Sequence, residues 1–310
     1  MSDPFADSIR EKALSLGFDD VGITSAELPQ EDTLFLQEWL GEGNHGNLSY
    51  LENPQRFSLQ SFFPGAKSAI IFVTHYKQPK VPFSPEGGVI ASYARGKDYH
   101  HLHRKRLKSF IQWLEEVSGK KGIAKGFSDA SPVMEKALAV KAGLGWMGKN
   151  SLLIHRKFGT FTLLSGVLTT LALSGKEDTT RFPRCGSCTK CLDACPTQAI
   201  SPAYKVIATR CLSYHLIESK EPLPAFIEEK NPGYAFGCDI CQDVCPHNVK
   251  SDLSTQEHFR NENGQGSLLT LLDLENIEKN PETLFGTPLQ RRKAPGLRRT
   301  LESLQKQRNR

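Results

Sequence analysis

The spacing of apolar residues over positions 1–173 predicts a first domain in which helices and strands alternate. DPFADSIREKALSLGF (3–18) and DYHHLHRKRLKSFIQWLEEV (98–117) carry apolar residues at the helical period. SPVMEKALAVKAG (131–143) adds a serine suited to the N-cap, a proline suited to the first turn and a glycine suited to the stop. Each of these segments is therefore predicted to be a helix.

Short apolar runs between these segments predict strands. SAIIFVTHY (68–76) is almost wholly apolar, which is typical of a strand buried on both faces. KGIAKGFSD (121–129), SLLIH (151–155) and FTLLSGVLTTLAL (161–173) are further strand candidates. The mixture predicts an α/β (α+β) fold for the first domain, and a polar linker that begins at position 174 separates this domain from the rest of the chain.

Cysteine dominates the next segment. All eight cysteines lie between positions 185 and 245, in CGSCTKCLDACP, in CDICQDVCP and at Cys211 between them. A disulfide framework belongs to small secreted chains, and structural zinc prefers paired Cys-x2-Cys units, so both fit poorly. The spacing Cys-x2-Cys-x2-Cys-x3-Cys-Pro instead matches bacterial [4Fe–4S] ferredoxins, in which the fourth cysteine of a run serves the other cluster.

This crossing rule assigns every thiol to one of two clusters. The first predicted ligand set is Cys185, Cys188, Cys191 and Cys245. The second predicted ligand set is Cys195, Cys238, Cys241 and, by elimination, Cys211. The insertion at 212–237 separates Cys211 from the second run and is a candidate surface for a partner cofactor. We therefore predict a two-cluster ferredoxin-like domain at 174–255.

The remainder, 256–310, is predicted to be a helical extension that ends in a basic tail. SLLTLLDLENIEK (267–279) has helical periodicity, and positions 291–310 hold eight Lys/Arg against one Glu. With a formal net charge of +5 for the whole chain, the other 290 residues sum to −2. Such a tail is either a solvated end or a surface for nucleic-acid phosphates, and the sequence leaves both open.

Composition narrows the class of protein. The length of 310 residues favours two domains, and no apolar run reaches transmembrane length. Clusters with free thiols favour a reducing cytosol, so we expect a cytoplasmic protein without a membrane partner. A first domain of this size can hold a second cofactor, which favours an iron–sulfur reductase. The alternative from another class is a plain two-cluster electron carrier.

Two motif-like features in the first domain are weak. GLGWMG (143–148) satisfies the dinucleotide fingerprint, but a predicted helix precedes it and a strand follows, the reverse of the required order. We interpret its glycines as allowing close backbone approach. DYHHLH (98–103) begins like the Asp-x-His-x-x-Gly motif of cobalamin enzymes but has His103 at the glycine position. Its histidines are interpreted as a solvated helix face.

Five segments taken together resemble the epoxyqueuosine reductase family over about residues 5–300. They are YARGKDYH, SDASPVMEKALAVKAGLGWMGKNSLLI, CGSCTKCLDACPTQAI, RCLSYHLIE and GCDICQDVCPHN. The resemblance implies a cobalamin-binding reductase domain followed by a ferredoxin-like domain with two [4Fe–4S] clusters. It implies reduction of epoxyqueuosine at the wobble position of tRNA, with an external low-potential electron donor. We expect a monomer, and a short form without the helical-repeat domain of longer members, which gives the basic tail more weight.

The resemblance also implies roles for residues of the first domain. The family's proton donor aligns with Asp129 in FSDASP, and Glu135 is the second candidate. We expect Arg56 in NPQRF to meet cobalamin. Further candidates for contact with the corrin, alongside Asp129, are Lys149, Asn150, His155 and Ser213.

Overall fold

The computed structural model describes residues 4–175, 177 and 184–309. Contacts between residues divide the chain into two compact units. The first unit comprises the chain up to His75 together with His100–Gly186, and the second comprises Tyr76–Tyr99 and the chain from Ser187 onwards.

The strands of the described residues are short, apart from two of eight residues. In chain order they are β1 Asp20–Ser25, β2 Ser68–His75, β3 Gly87–Ile90, β4 Ala124–Ser128, β5 Gly145–Met147, β6 Leu153–His155, β7 Thr162–Thr169, β8 Tyr234–Phe236 and β9 Leu268–Thr270.

The helices of the described residues include two long ones and several single turns. They are α1 Pro4–Ser15, α2 Gln30–Gly41, α3 Leu59–Phe62, α4 Tyr99–Ser118, α5 Glu135–Lys141, α6 Lys190–Asp193, α7 Ala225–Lys230, α8 Ile240–Asp243, α9 Pro246–Val249, α10 Leu271–Lys279 and α11 Lys293–Arg308. A π-helical turn spans Tyr214–Glu218, and 3₁₀ turns span Ser49–Glu52, Pro54–Phe57, Ser92–Ala94, Ala208–Arg210, Glu257–Phe259, Asn261–Asn263, Pro281–Leu284 and Pro288–Arg291.

The first unit is built on an antiparallel sheet in the order β1-β2-β7-β4, beside a β5-β6 hairpin. Every residue of β2 is buried, as its apolar sequence predicted. Because side chains alternate along a strand, Ile71 and Val73 join one core cluster, while Ile70 and Phe72 join another. Burying each such side chain contributes about 1.5–3 kcal/mol, so β2 anchors both faces of the unit.

The second unit has a three-stranded sheet in which β3 lies between β8 and β9. β3 pairs parallel to β8 and antiparallel to β9. Since β3 belongs to Tyr76–Tyr99, this segment packs with the C-terminal half of the chain. The units therefore do not follow the predicted boundaries at 173 and 255, because a strand from inside the first predicted domain completes the sheet of the second unit.

The mixed α/β class is confirmed, and several predicted elements fall where expected. α1, β4 and β6 lie within the segments predicted for them, and α4 extends one residue past its segment, to Ser118. The helix predicted at 267–279 is correct only in its second part. Leu268–Thr270 is a strand that pairs with β3, and α10 begins at Leu271. Thr270 then caps α10 in a capping box with Asp273.

The basic tail is not a solvated end. It forms α11, in which Leu297, Leu301 and Leu304 are buried in the core of the second unit. Its arginines bond within the same unit: the Arg308 guanidinium donates to the carbonyl oxygens of Ser84, Pro85 and Gly87, and others contact the acids and carbonyls of residues 218–221 and Glu278. Much of the positive charge of the tail is therefore used for folding.

Candidate active-site loop and cluster-binding thiols

The loop after β4 presents Asp129. Its backbone has φ +23°, in the left-handed region that aspartate tolerates better than most residues. The side chain is 56% exposed, and its Oδ2 lies 3.1 Å from Nε2 of His100 in α4. The predicted acid is thus held on a short loop by a histidine that the sequence did not single out as its partner.

Ser131 closes this loop instead of capping a helix, which corrects the predicted helix start. Its N–H donates to the carbonyl oxygen of Ser128 at 2.9 Å, and its Oγ accepts from the N–H of Ser128 at 3.3 Å. α5 consequently begins at Glu135, without a side-chain cap. Serine competes for local backbone bonds, and here the turn that presents Asp129 takes them.

Glu135 lies half-buried at the start of α5 and interacts electrostatically with Asp129. Burial raises the pKa of Glu135 to about 7, and the negative charge of Asp129 adds to the effect. The positive charges of Lys136 and Arg56 oppose the shift. Asp129 and a second carboxyl group, whose pKa is raised, therefore share one part of the first unit.

Arg56 is 7% exposed and belongs to the same group. Its Nη1 donates to the carbonyl oxygen of Val133 at 3.2 Å, whereas its Nε has no hydrogen-bond partner among the described residues. Buried donors are almost always satisfied, so an orphaned guanidinium N–H marks a place for an acceptor from a bound molecule. The residues here fit a polar cofactor such as cobalamin, which carries amide and phosphate oxygens.

The other predicted corrin contacts of the first unit lie around the β5-β6 hairpin. Lys149 Nζ donates to the carbonyl oxygen of Gly186 at 2.7 Å, and the buried Asn150 accepts from the N–H of Leu152 at 3.4 Å. The hairpin explains the glycine motif, because a Cβ on Gly145 would lie 2.2 Å from the carbonyl oxygen of Ile154. A helix precedes the motif and a strand follows, as predicted.

His155 has both ring nitrogens engaged inside the unit. Nε2 lies 3.1 Å from Asp20 Oδ2, and Nδ1 accepts from the N–H groups of Lys157 and Phe158. Since Nδ1 accepts, Nε2 carries the proton and donates to Asp20. Any contact of His155 with a cofactor is thus left to its ring carbons.

His103 corrects the interpretation of the DYHHLH histidines as a solvated face. It is fully buried, with Nδ1 3.0 Å from Ser128 Oγ and Nε2 3.1 Å from Thr74 Oγ1. Only His101 of the three histidines is strongly exposed. His103 therefore connects α4 to the strand that leads into the Asp129 loop.

The thiols of the second unit act on one another. Burial raises the pKa of Cys241, and the charge of Cys211 has the largest further effect. Cys191 and Cys195 act on it in the same direction, and the pKa of Cys238 is raised by burial and then by Cys241. Buried thiols that disfavour one another's charge suit a site whose iron ions supply the compensating positive charge.

Ser213 contacts a sulfur. Its backbone N–H and hydroxyl, with the N–H of Tyr214, hydrogen-bond to Cys211 and lower the pKa of that thiol, against the larger raising effect of burial. Cys195 likewise accepts from the N–H of Ala199 at 3.3 Å. These donors favour thiolate, the form that binds iron.

The other three cysteines are Cys185, Cys188 and Cys245. Cys245 is buried in the second unit, whereas Cys185 belongs to the end of the first. No three His, Cys, Asp or Glu side chains in the described part of the chain are grouped to hold a single metal ion. A [4Fe–4S] cubane binds one thiolate at each iron, so its four cysteine ligands lie farther apart than the ligands of a single metal ion.

Sequence reasoning missed a buried carboxyl group beside the thiols. Asp239, between Cys238 and Cys241, is 3% exposed and accepts from the N–H and Oγ of Ser92 at 2.7 and 2.8 Å. Burial raises the pKa of Asp239, and the buried Arg95 opposes this. The sequence signal for this site was an acidic residue inside a cysteine run. Its hydrogen-bond partner Ser92 is 147 positions away in the chain, so the sequence could not indicate the pairing.

Comparison with known proteins gives a consistent result. Residues 184–248 match the model described as "4Fe-4S double cluster binding domain", and residues 56–130 match "Epoxyqueuosine reductase QueG, DUF1730". An epoxyqueuosine reductase of Leadbetterella byssophila is 37% identical over 302 residues, which are 96% of this chain and 97% of that protein.

Solved structures agree with this similarity. Epoxyqueuosine reductase from Bacillus subtilis, with the loop of its catalytic aspartate swung out of the active site, has a TM-score of 0.84 at 26% identity, covering 98% of this chain and 82% of that chain. An epoxyqueuosine reductase with an epoxyqueuosine-modified tRNA-Tyr stem loop has a TM-score of 0.80 at 27% identity, covering 97% and 82%. None of the described helices combines the length and apolar character of a bilayer-spanning segment.

Proposed function

The chain belongs to the epoxyqueuosine reductase family, and we infer from this premise that it reduces epoxyqueuosine to queuosine in tRNA. The observation that carries the inference is similarity over 96% of the chain and 97% of a relative with this activity, so both units are included. The double-cluster segment and the segment that ends at the Asp129 loop each match a family model as well.

Two [4Fe–4S] clusters are bound in the matched double-cluster segment. We assign Cys195, Cys211, Cys238 and Cys241 to one cluster by the crossing rule. The effects of Cys211, Cys238 and Cys241 on one another's pKa values support the grouping of these three, while Cys241 is also affected by Cys191 from the other set. By the crossing rule, the other cluster takes Cys185, Cys188, Cys191 and Cys245. Cobalamin, which the family uses, supplies low-potential electrons to the epoxide when it is bound.

We assign the donation of protons to residues of the first unit. Converting an epoxide to an alkene and water consumes two electrons and two protons, so the oxygen needs a donor as its C–O bonds break. We assign this role to Asp129, because its exposed carboxyl group on a short loop suits a proton donor and the Bacillus subtilis relative likewise has a catalytic aspartate on a loop. A positioned acid contributes ~10²–10⁴-fold to such a step.

His100 and Glu135 assist Asp129 in this assignment. His100 Nε2 fixes the carboxyl group from 3.1 Å, which limits the orientations of the exposed side chain. Glu135, with a pKa of about 7, is partly protonated at neutral pH and supplies a second proton close by. Below pH 7 the protonated form of Glu135 dominates, so the reserve is lost as pH rises above that value.

Arg56 is the strongest of the proposed cobalamin contacts. Its buried, unsatisfied Nε would donate to an amide or phosphate oxygen of the cofactor. Lys149 and Asn150 remain candidates at the hairpin. Ser213 is better placed to support a cluster through Cys211 than to hold the corrin directly.

The electron donor and the cellular setting are proposed from the same chemistry. Low-potential clusters and free thiols suit a reducing compartment, so the protein is proposed to act as a cytoplasmic monomer. An external low-potential reductant, such as a reduced flavoprotein or ferredoxin, would feed the clusters. The tRNA is the second partner.

Expression in a bacterial strain that lacks its own epoxyqueuosine reductase tests the proposal. The nucleosides of its tRNA should change from epoxyqueuosine to queuosine, as read by mass spectrometry. Retention of epoxyqueuosine, with soluble iron-loaded protein present, would favour a corrinoid reductase of another substrate or an electron carrier.

A further inference from the structure

A cleft of about 430 Å³ runs along the first unit beside the Asp129 loop. One wall is α4, and the other is β4 with the loop after it. The lining comprises His100, Arg104, Leu107, Lys108, Ile111, Gly126, Phe127, Ser128, Ala130 and Ser131. Because Ser128 and Ala130 flank Asp129 in sequence, the cleft opens next to the proposed proton donor.

The wall formed by α4 is positively charged. Arg104 and Lys108 are both exposed, one helical turn apart, on the face that also carries His100. Neither forms an ion pair with any acid among the described residues. This contrasts with α11, where Arg298 pairs with Glu278 and Glu302.

The rest of the lining suits a strand of nucleic acid better than a compact anion. The apolar residues Leu107 and Phe127 are buried and Ile111 is half-buried, so they close the floor of the cleft below the two cations. Gly126 has no side chain to fill the floor, and β4 is an edge strand of its sheet. Asp129 is the acid at this end of the cleft, and His100 Nε2 holds its carboxylate.

We propose that this cleft binds the tRNA strand next to the modified nucleotide, with Arg104 and Lys108 contacting its phosphates. The inference rests on the proposed function, because it takes the nucleotide at Asp129 as given and asks where the adjoining backbone goes. The cleft lies directly against the acid loop, so it is available to the backbone that adjoins a nucleotide at Asp129.

The expected size of the effect is set by counterion release. Each phosphate contact with a single strand contributes about 0.7 to the slope of log affinity against log salt. Between 1 M and 0.1 M salt, a slope of this size makes one phosphate contact worth ~5-fold in affinity at the lower salt concentration. Removing Arg104 and Lys108 together should weaken binding ~25-fold and lower the slope by about 1.4 if each meets one phosphate.

The test uses iron-loaded protein and a fluorescein-labelled tRNA-Tyr anticodon stem loop that carries epoxyqueuosine. Arg104→Gln, Lys108→Gln and the double variant are compared with wild type by anisotropy over a salt series. Lys120→Gln is the matched control, because Lys120 is an exposed lysine just beyond α4 and outside the cleft. Thermal unfolding and iron content verify that each variant is folded.

The proposal expects weaker binding and a lower salt slope for the cleft variants and near wild-type behaviour for Lys120→Gln. Cleft variants that match the control in affinity and slope would overturn it. Conversion of epoxyqueuosine by wild type is measured in parallel. If wild type converts epoxyqueuosine but the cleft variants bind tRNA as wild type does, only the role of the cleft is refuted. If wild type does not convert epoxyqueuosine, the proposed function itself is refuted.

Discussion

Replacing Glu135 with glutamine should remove a pH-dependent cost to stability. Glu135 has a pKa of about 7 in the folded protein against an ordinary value of 4.5. Folding therefore favours its protonated form, and the folded state binds more protons than the unfolded state between these values. Stability consequently falls as pH rises through this window, and the loss is complete above the folded pKa.

The size of this loss is set by the shift. At 1.36 kcal/mol per pKa unit, the shift corresponds to an upper bound of about 3 kcal/mol, of which ~2.5 kcal/mol develops between about pH 5 and pH 8.5. Glu135 is only half-buried, so solvent screening reduces the expected change to ~1 kcal/mol. Glu135→Gln carries no titrating group and should escape this loss.

Urea unfolding of wild type and Glu135→Gln across this pH range measures the effect. The stability of the variant relative to wild type should increase by ~1 kcal/mol from the acidic to the basic end. Glu11→Gln, at an exposed position of α1, controls for loss of a carboxylate in the same unit. A pH-independent difference between Glu135→Gln and wild type would refute the proposed proton affinity of Glu135 and its role as a proton reserve.

Three further results are expected. Asp129→Asn keeps the size and left-handed tolerance of the side chain but not its proton, so conversion of epoxyqueuosine should slow at least ~10²-fold with cofactor content unchanged; normal turnover would transfer the role elsewhere. Cys211→Ala should lose about half of the ~8 iron atoms found by metal analysis, and full iron content would disprove its assignment. Leu301→Ala, in the buried face of α11, should cost ~2–5 kcal/mol of stability in urea unfolding, whereas a near-neutral effect would mean that α11 is not part of the core.

The sequence predicted best those features that depend on neighbours in the chain. β2 contains an unbroken apolar run at 69–73, and the strand is buried at every position. The cysteine spacing predicted the double-cluster segment because the geometry of a cubane is encoded in short intervals. The inverted context of the glycine motif was also correctly predicted from the elements on either side.

Features that depend on distant partners were not predictable. Residues 76–99 read as part of the first domain, yet β3 pairs with β8 and β9 from the far half of the chain. The sequence left open whether the basic tail is a solvated end or a surface for phosphates, and it did not indicate that several of the tail's arginines bond to carbonyl oxygens of the second unit. Local pattern does not specify which charged groups meet backbone acceptors.

The acid loop shows the same limit on a smaller scale. Ser131 followed by proline predicted a helix start, but its hydroxyl closes the Asp129 turn. The pairing of His100 with Asp129 joins positions 29 residues apart, and no local rule connects them. The sequence therefore predicted the acid correctly as a candidate but not the residues that position it.

An anaerobic assay on purified protein tests the central claim most directly. Iron-loaded enzyme, cobalamin, a low-potential reductant and tRNA carrying epoxyqueuosine are combined, and the digested nucleosides are analysed by mass spectrometry. The account predicts loss of one oxygen atom from epoxyqueuosine to give queuosine, only when cobalamin and intact clusters are both present. Unchanged epoxyqueuosine in the complete mixture, or equal conversion without cobalamin, would contradict it.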